Sequence, residues 1–249
     1  MGQNGWMFRV DLNCDMGEGA EHDAELMPLI TSANIACGAH AGNARTMQQT
    51  CEMATQYGVS IGAHPSLDDR ANFGRRELPI SQAAAAALVT RQLRALSAHA
   101  KVRHVKPHGA LYNMAARDPA LAEAIALAVK NFDPSLVLFG LAQSALTGAG
   151  EAVGLKVAHE VFADRTYQPD RSLTPRSHPE ALLTTAAAAA AQAVRMVRAG
   201  SVRAVDGSEI AVKADTICLH GDGPHPVEFA KAIREAFGKT GITIARFAS

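Results

Sequence analysis

The chain has 249 residues, of which 48% are hydrophobic and 19% charged, a composition typical of a globular protein with a large core. Lys plus Arg and Asp plus Glu number 24 each, so the formal net charge is zero and no basic run could neutralise a nucleic-acid backbone. No run of roughly 18 or more strongly apolar residues predicts a membrane span, and the segment MGQNGWMFRV lacks the features of a secretory signal. We therefore expect a cytoplasmic protein that binds neither nucleic acid nor membranes.

The four cysteines are far apart in the sequence and never form a C-x-x-C motif. This spacing argues against a structural zinc site and against a thioredoxin-type pair. We expect Cys14, Cys37, Cys51 and Cys218 to be reduced thiols without a disulfide.

The first half of the chain alternates between apolar strands and helices. An apolar run leads into the acidic segment VDLNCDMGEG at residues 10–19. The periodicity then predicts a short helix at 21–32, a strand at 33–37, a helix at 44–57 capped by Asn43, a strand at 59–63, and a helix at 81–98 capped by Ser81. A fourth strand begins at 103–105.

The second half continues the alternation. Asp118 and Pro119 open a helix as its cap and first-turn proline, and the helix extends to about residue 131. Strands follow at 136–139 and 155–161, and helices at 142–153 and 178–199. Two alternating runs within 201–214, separated by Asp206-Gly207, predict an inserted β-hairpin. A strand at 216–219, a helix at 227–237 and a terminal strand at 242–247 complete the pattern.

Seven core strands alternating with helices predict an α/β fold with parallel strands. They can close into a barrel or lie as an open sheet. We favour a seven-stranded parallel β/α barrel, because polar clusters follow nearly every strand and not only the two beside a switch point. No linker is visible, so we expect a single domain over residues 1–249.

Acidic, basic and imidazole side chains follow the predicted strands, at the ends that converge in a barrel. The candidate catalytic residues are Asp11, Asn13, Asp15, Glu18, His40, His64, Lys106, His108, Asp164, Arg165, His220 and Asp222. The shared position after apolar runs predicts that Asp11, His40, His64, Lys106, Asp164 and His220 point into one cavity.

Three chemistries are compatible with this set. Asp11, His40 and His64 could hold one divalent metal with an open position for water. Alternatively, an Asp–His pair could act as acid and base without metal, with Lys106 and Arg165 stabilising anionic oxygen. A thiol nucleophile at Cys37 is the third, although a buried inert thiol is the favoured interpretation.

No known phosphate-binding loop is present in the sequence. The segment GAGEAVGLK at residues 148–156 has glycines without the spacing of a P-loop or a dinucleotide-binding motif. A nucleotide such as ATP would have to be held by Lys106, Arg165 and the glycine-rich backbone at Gly221 and Gly223.

Six motifs, taken together, closely resemble the LamB/YcsF family: DLNCDMGEG, NIACGAHAG, GAHPS, VKPHGALYN, EVFADRTYQPDRSLTPR and ICLHGDGP. The resemblance extends from about Phe8 to the last helix. It implies a seven-stranded β/α barrel related to the glycoside hydrolase and polysaccharide deacetylase superfamily. It also implies ATP-dependent opening of 5-oxoproline (pyroglutamate) to L-glutamate, with release of ADP and phosphate, in a complex with the 5-oxoprolinase partner subunits B and C.

For that reaction, we expect Arg165 or Lys106 to bind the substrate carboxylate, and His40, His64 or Asp11 to act as the base for water. We expect negligible hydrolysis by this chain without its partners. Two other functions stay open: a metal-dependent deacetylase or amidohydrolase that works without ATP, and a non-catalytic subunit that binds a lactam.

Overall fold

The computed structural model describes residues 8–223 and 225–247. Within these residues the strands are β1 (Phe8–Met16), β2 (Ser32–Ala36), β3 (Ser60–His64), β4 (His104–Val105), β5 (Val137–Leu141), β6 (Lys156–Phe162), β7 (Ser201–Arg203), β8 (Glu209–Ala211), β9 (Thr216–Leu219) and β10 (Ile242–Ile244). The α-helices are α1 (Asp23–Leu26), α2 (Ala44–Gln56), α3 (Gln82–Ser97), α4 (Gly109–Arg117), α5 (Pro119–Phe132), α6 (Ala145–Ala152), α7 (Ala186–Ala199) and α8 (Pro226–Thr240).

Seven of the strands form a closed parallel barrel. The order is β1-β2-β3-β4-β5-β6-β9, and β9 pairs back onto β1, with Asp11 opposite Thr216. Strand β10 lies parallel to the first three residues of β1, just before the part of β1 that pairs with β9. The predicted seven-stranded β/α barrel is therefore confirmed.

The inserted hairpin has the predicted form. Strands β7 and β8 are antiparallel, with Val202 opposite Ile210. Gly207 adopts a left-handed conformation in the turn, with φ of +87°, and its N–H donates to the Ala204 carbonyl. A side chain would be strained at that φ, which is why Asp-Gly is such a strong hairpin signal.

Local capping signals fix the starts of three helices as predicted. The Asn43 side chain accepts a hydrogen bond from the Thr46 N–H at 3.0 Å at the start of α2. Ser81 caps α3 in the same way, and Asp118 caps α5 ahead of Pro119. Each side chain satisfies a backbone N–H that the helix itself leaves without a partner.

The predictions at 21–32 and 178–199 were wrong in extent, and one helix was missed. Only α1 and a 3₁₀ turn at Met27–Leu29 form in the first segment, since Pro28 lacks the N–H that a longer helix requires. Helix α7 begins at Ala186, and residues before it form an irregular loop over the barrel. Helix α4 begins directly after His108, in a segment to which the sequence analysis assigned no element.

The interior of the barrel is polar, and the apolar core lies between the strands and the helices. Alternate residues of β1 face opposite sides: Leu12 and Cys14 belong to the apolar core. Asn13 points inward, because its amide donates to Glu160 on β6, which is not a neighbour of β1 in the sheet. A polar interior needs every group to be hydrogen-bonded, so its side chains form a connected network.

Among the helices in the described part of the chain, none combines the length and the apolar character needed to cross a bilayer. The four cysteines are buried as free thiols.

Candidate active site

Asp11 lies deep in the barrel and away from the histidines. Its carboxylate accepts hydrogen bonds from Ser32 at 2.7 Å, Thr31 at 2.8 Å and Thr216 at 2.5 Å. Burial raises the pKa of Asp11, an effect that these hydroxyl groups oppose. Asp15 is four residues further along the strand, or roughly 13 Å.

The prediction that Asp11 shares a cavity and a metal site with His40 and His64 was therefore wrong. Asp11 does not line the large cavity, and the same separation argues against its role as a base for water. Glu18, beyond the end of β1, occupies the position beside the histidines instead.

Lys106 is enclosed by acidic and polar groups inside the barrel. Its Nζ lies 3.0 Å from Asp15 Oδ1, 2.9 Å from Glu160 Oε1 and 3.3 Å from Asn13 Oδ1. Burial alone would lower the pKa of Lys106, but the Asp15 and Glu160 carboxylates raise it well above its usual range. The ammonium group is therefore a fixed cation that two carboxylates already neutralise, which disfavours the predicted roles in binding substrate carboxylate or nucleotide phosphate.

The sequence prediction missed Glu160, which has no exposed surface at all. Its second carboxylate oxygen accepts a hydrogen bond from the Tyr112 hydroxyl at 2.7 Å, and burial together with this carboxylate raises the pKa of Tyr112 well above its usual range. A glutamate in the apolar strand KVAHEVF was a usable signal, because an unpaired carboxylate in such a strand would be very costly.

Four residues at the carboxyl ends of the strands, Glu18, His40, His64 and His108, form a compact group that we call the His/Glu cluster. The donor atoms they offer lie within 4.8 Å of one another. Glu18 Oε1 is 2.8 Å from His40 Nε2, 3.4 Å from His108 Nδ1 and 3.8 Å from His64 Nε2. The rings of His40 and His108 stack with their centroids 3.8 Å apart.

Burial dominates the electrostatics of the His/Glu cluster. Burial, with Asp15 and Asp222 nearby, raises the pKa of Glu18 to about 9. Burial, with His64 nearby, lowers the pKa of His40 to about 3. Both pKa shifts disfavour the charged form of the side chain, as expected where water is excluded.

Asp164 and His220 form a hydrogen-bonded pair at the same end of the barrel. His220 Nδ1 lies 2.9 Å from Asp164 Oδ2, and the backbone N–H of His220 donates to the same oxygen at 3.1 Å. Burial would raise the pKa of Asp164, but His220 holds it below its usual range. This pair has the arrangement of a general acid/base, with the carboxylate fixing the imidazole tautomer.

A cavity of about 970 Å³ opens above these groups. Its walls include Asp15, Glu18, His64, Lys106, His108, Tyr112, Arg165 and His220. Of the six residues predicted to share one cavity, His64, Lys106 and His220 line it, whereas Asp11, His40 and Asp164 do not. The other candidates in its walls are Asp15, Glu18, His108 and Arg165.

Arg165 holds the loop that covers this cavity. Its guanidinium donates to the carbonyls of Ala181 at 3.2 Å and Thr174 at 2.6 Å. Burial lowers the pKa of Arg165 to about 10. Its main contacts are therefore structural, although it also faces the cavity where we expected it to bind the substrate carboxylate.

The predicted nucleotide-binding set is divided between two places. Gly221 and Gly223 line a separate depression of about 430 Å³, together with Asp222, whereas Lys106 and Arg165 line the large cavity. Asp222 accepts a hydrogen bond from Arg75 at 2.6 Å, and Arg75 borders both spaces. The four residues do not form one phosphate site.

Cys37 is not activated as a nucleophile. Its thiol contacts the Ile35 carbonyl at 3.2 Å, and burial raises the pKa of Cys37 to about 12. Such a thiol stays protonated at neutral pH.

The sequence profile of the LamB/YcsF family matches residues 10–249. The chain belongs to the LamB/YcsF family. A relative from Brevibacillus brevis, named as the A subunit of 5-oxoprolinase, is 54% identical over 253 residues, which cover 97% of this chain and 100% of the relative.

Two solved structures place this LamB/YcsF chain among known folds. The lactam utilization protein from Thermus thermophilus is 43% identical, with a TM-score of 0.89 over 95% of this chain and 99% of that chain. A T48 deacetylase solved with substrate has a TM-score of 0.50 at 14% identity, over 98% of this chain and 91% of that chain. The second similarity concerns the fold alone, and it agrees with the expected deacetylase-like barrel.

Proposed function

We propose that this chain is the A subunit of an ATP-hydrolysing 5-oxoprolinase that opens 5-oxo-L-proline to L-glutamate together with subunits B and C. The observation that carries the proposal is the 54% identity, over 97% of this chain, to a relative that bears the name of the 5-oxoprolinase A subunit. The similarity to a lactam utilization protein supports a cyclic amide as the substrate.

The chemistry of the lactam explains why ATP is needed. An unstrained five-membered lactam is a poor electrophile. Transfer of the γ-phosphoryl group to the amide oxygen releases ADP and creates a leaving group. Water then adds to the carbonyl carbon, and the C–N bond breaks to give the amine and an acyl phosphate. A second water hydrolyses the acyl phosphate to the carboxylate of glutamate and phosphate.

Asp164 and His220 are suited to move protons in this sequence. The carboxylate fixes the imidazole through Nδ1 at 2.9 Å, and His220 also lines the cavity. We assign His220 as the group that takes a proton from water or gives one to the departing nitrogen. The source of phosphoryl activation is assigned to the assembled complex, because the sequence contains no Walker-type loop.

A measurement of both products tests the proposal. The chain alone, and the chain with subunits B and C, are incubated with 5-oxoproline, ATP and magnesium, and glutamate and phosphate are followed together. We expect both products in equal amounts from the full set and negligible turnover from the chain alone. Equal production of both by the isolated chain would contradict its dependence on partners.

A second candidate is an amidohydrolase that works without ATP, favoured by the His/Glu cluster at the cavity. It predicts glutamate from the isolated chain when ATP is omitted. A third candidate is a non-catalytic subunit that binds a lactam. If the chain had only that role, His220→Asn in the assembled complex would leave kcat unchanged, whereas we expect kcat to fall about 100-fold or more. His178→Asn, at an exposed histidine, is the matched control.

A further inference from the structure

Two imidazole nitrogens face each other inside the His/Glu cluster. His64 Nε2 and His108 Nδ1 are 2.9 Å apart. The other nitrogen of each ring is already committed as a donor. His64 Nδ1 donates to the Lys106 carbonyl at 2.7 Å, and His108 Nε2 donates to the Phe73 carbonyl at 2.9 Å.

A carbonyl oxygen can only accept a hydrogen bond, so these contacts fix the tautomer of both rings. In the neutral rings, His64 Nε2 and His108 Nδ1 therefore each direct a lone pair into the same space. Glu18 Oε1 adds a third electron-rich atom, 3.8 Å and 3.4 Å from these nitrogens. Asp15 Oδ2 also lies 3.3 Å from His64 Nε2. Lone pairs and carboxylates that meet in a buried space need a cation between them, which is either a shared proton or a metal ion.

We propose that Glu18, His64 and His108 bind one divalent transition-metal ion of the borderline class, such as Zn²⁺. Two imidazoles and a carboxylate are the protein ligands of many such sites that keep an open position. Tetrahedral ligands about 2.0–2.1 Å from a metal stand about 3.4 Å from one another, and the separations here are 2.9, 3.4 and 3.8 Å.

The surroundings of these three residues have the organisation of a metal site. Each histidine is oriented by a backbone carbonyl on its far nitrogen, the usual means of fixing a metal-ligating imidazole. Glu18, His64 and His108 all line the large cavity, so a fourth position can face it. A metal held there would supply a Lewis acid at the cavity floor.

His40 is a positioning residue and not a ligand in this assignment. Its ring is parallel to that of His108 within 5°, so an ion in the plane of one ring lies well outside the plane of the other. His40 does not line the cavity. Its Nε2 lies 2.8 Å from Glu18 Oε1 and its Nδ1 lies 2.9 Å from Ser66 Oγ, so it links the Glu18 carboxyl group to the segment after β3 and holds it in place.

Direct metal binding tests the proposal, and it is independent of any turnover by the complex. The untagged full-length chain is stripped with a chelator and titrated with Zn²⁺ by calorimetry, and Co²⁺ is followed by visible absorption. We expect one equivalent per chain and the intense Co²⁺ bands of a low-coordinate site. Glu18→Gln and His64→Gln should each weaken binding at least 100-fold, and His40→Gln should weaken it 10- to 100-fold.

His159→Gln is the matched control, because His159 pairs with Glu151 elsewhere in the fold. It should bind the metal like the unaltered chain. Circular dichroism checks that each variant is folded. If His64→Gln does not fold, the test relies on Glu18→Gln. Absence of stoichiometric binding, which would mean that the cluster shares protons instead, overturns the proposal. So does unchanged affinity in folded Glu18→Gln.

Discussion

Replacing Lys106 with Met tests the buried ion pairs that hold the barrel interior together. The Lys106 side chain is 3% exposed, and its ammonium lies 3.0 Å from Asp15 and 2.9 Å from Glu160, whose side chains are 8% and 0% exposed. The substitution leaves two buried carboxylates without their cation. Removing one partner of such a pair typically costs about 3–5 kcal/mol, so we expect a loss of about 4 kcal/mol in the free energy of unfolding.

The assay is reversible urea unfolding followed by circular dichroism. With an m-value of about 3 kcal/mol/M, a loss of about 4 kcal/mol lowers the midpoint by roughly 1.3 M. The matched control is Lys213→Met, because Lys213 is 57% exposed and lies 3.2 Å from Asp215. An exposed pair of this kind contributes at most about 1 kcal/mol.

A second variant separates charge from packing. Adding Glu160→Gln to Lys106→Met removes one of the unpaired charges, so the double variant should lose less than the sum of the two single losses. If Lys106→Met cost no more than Lys213→Met, the ammonium would not be paired as described, and the ion pairs would not be what holds the interior together.

Three further outcomes follow from local geometry. Gly62→Ala should lower the free energy of unfolding by about 2–4 kcal/mol in thermal unfolding, because its new Cβ would lie 2.0 Å from the His104 ring. The control Gly148→Ala places its Cβ within 4 Å of nothing and should be neutral or stabilising. Equal melting temperatures for the two variants would contradict this. Asn43→Ala should lose about 1 kcal/mol through the missing helix cap, and Asn43→Asp should retain most of it, as measured by urea unfolding. Arg165→Gln should raise the rate of tryptic cleavage within residues 166–185 about tenfold or more, because the hydrogen bonds from the guanidinium group to two loop carbonyls are lost. An unchanged rate would show that other contacts hold the loop.

Much of the architecture could be predicted because its signals are local. Alternation of apolar runs with helical periodicity determines strand and helix order, and the parallel barrel follows from that order. Asn43, Ser81 and Asp118 mark helix starts through bonds to backbone groups two or three residues away. Asp206-Gly207 marks its hairpin for the same reason, because the conformation of the turn depends on these two residues.

The sequence also indicated that the histidines of the cavity lie at one end of the barrel. Histidines and carboxylates directly after strands meet there in any parallel barrel, so His64, His108 and His220 could be expected together without coordinates.

Only the tertiary structure decided how deep each side chain lies and what it contacts. Asp11 and Asp15 are on the same face of β1, but the barrel places one among hydroxyl groups and the other beside Lys106. The partner of Lys106 on β6, Glu160, is 54 positions away, and no local pattern reports such a distance. Depth in a barrel depends on the stagger between neighbouring strands, which arises from the closure of the whole sheet and is therefore not encoded in any single segment.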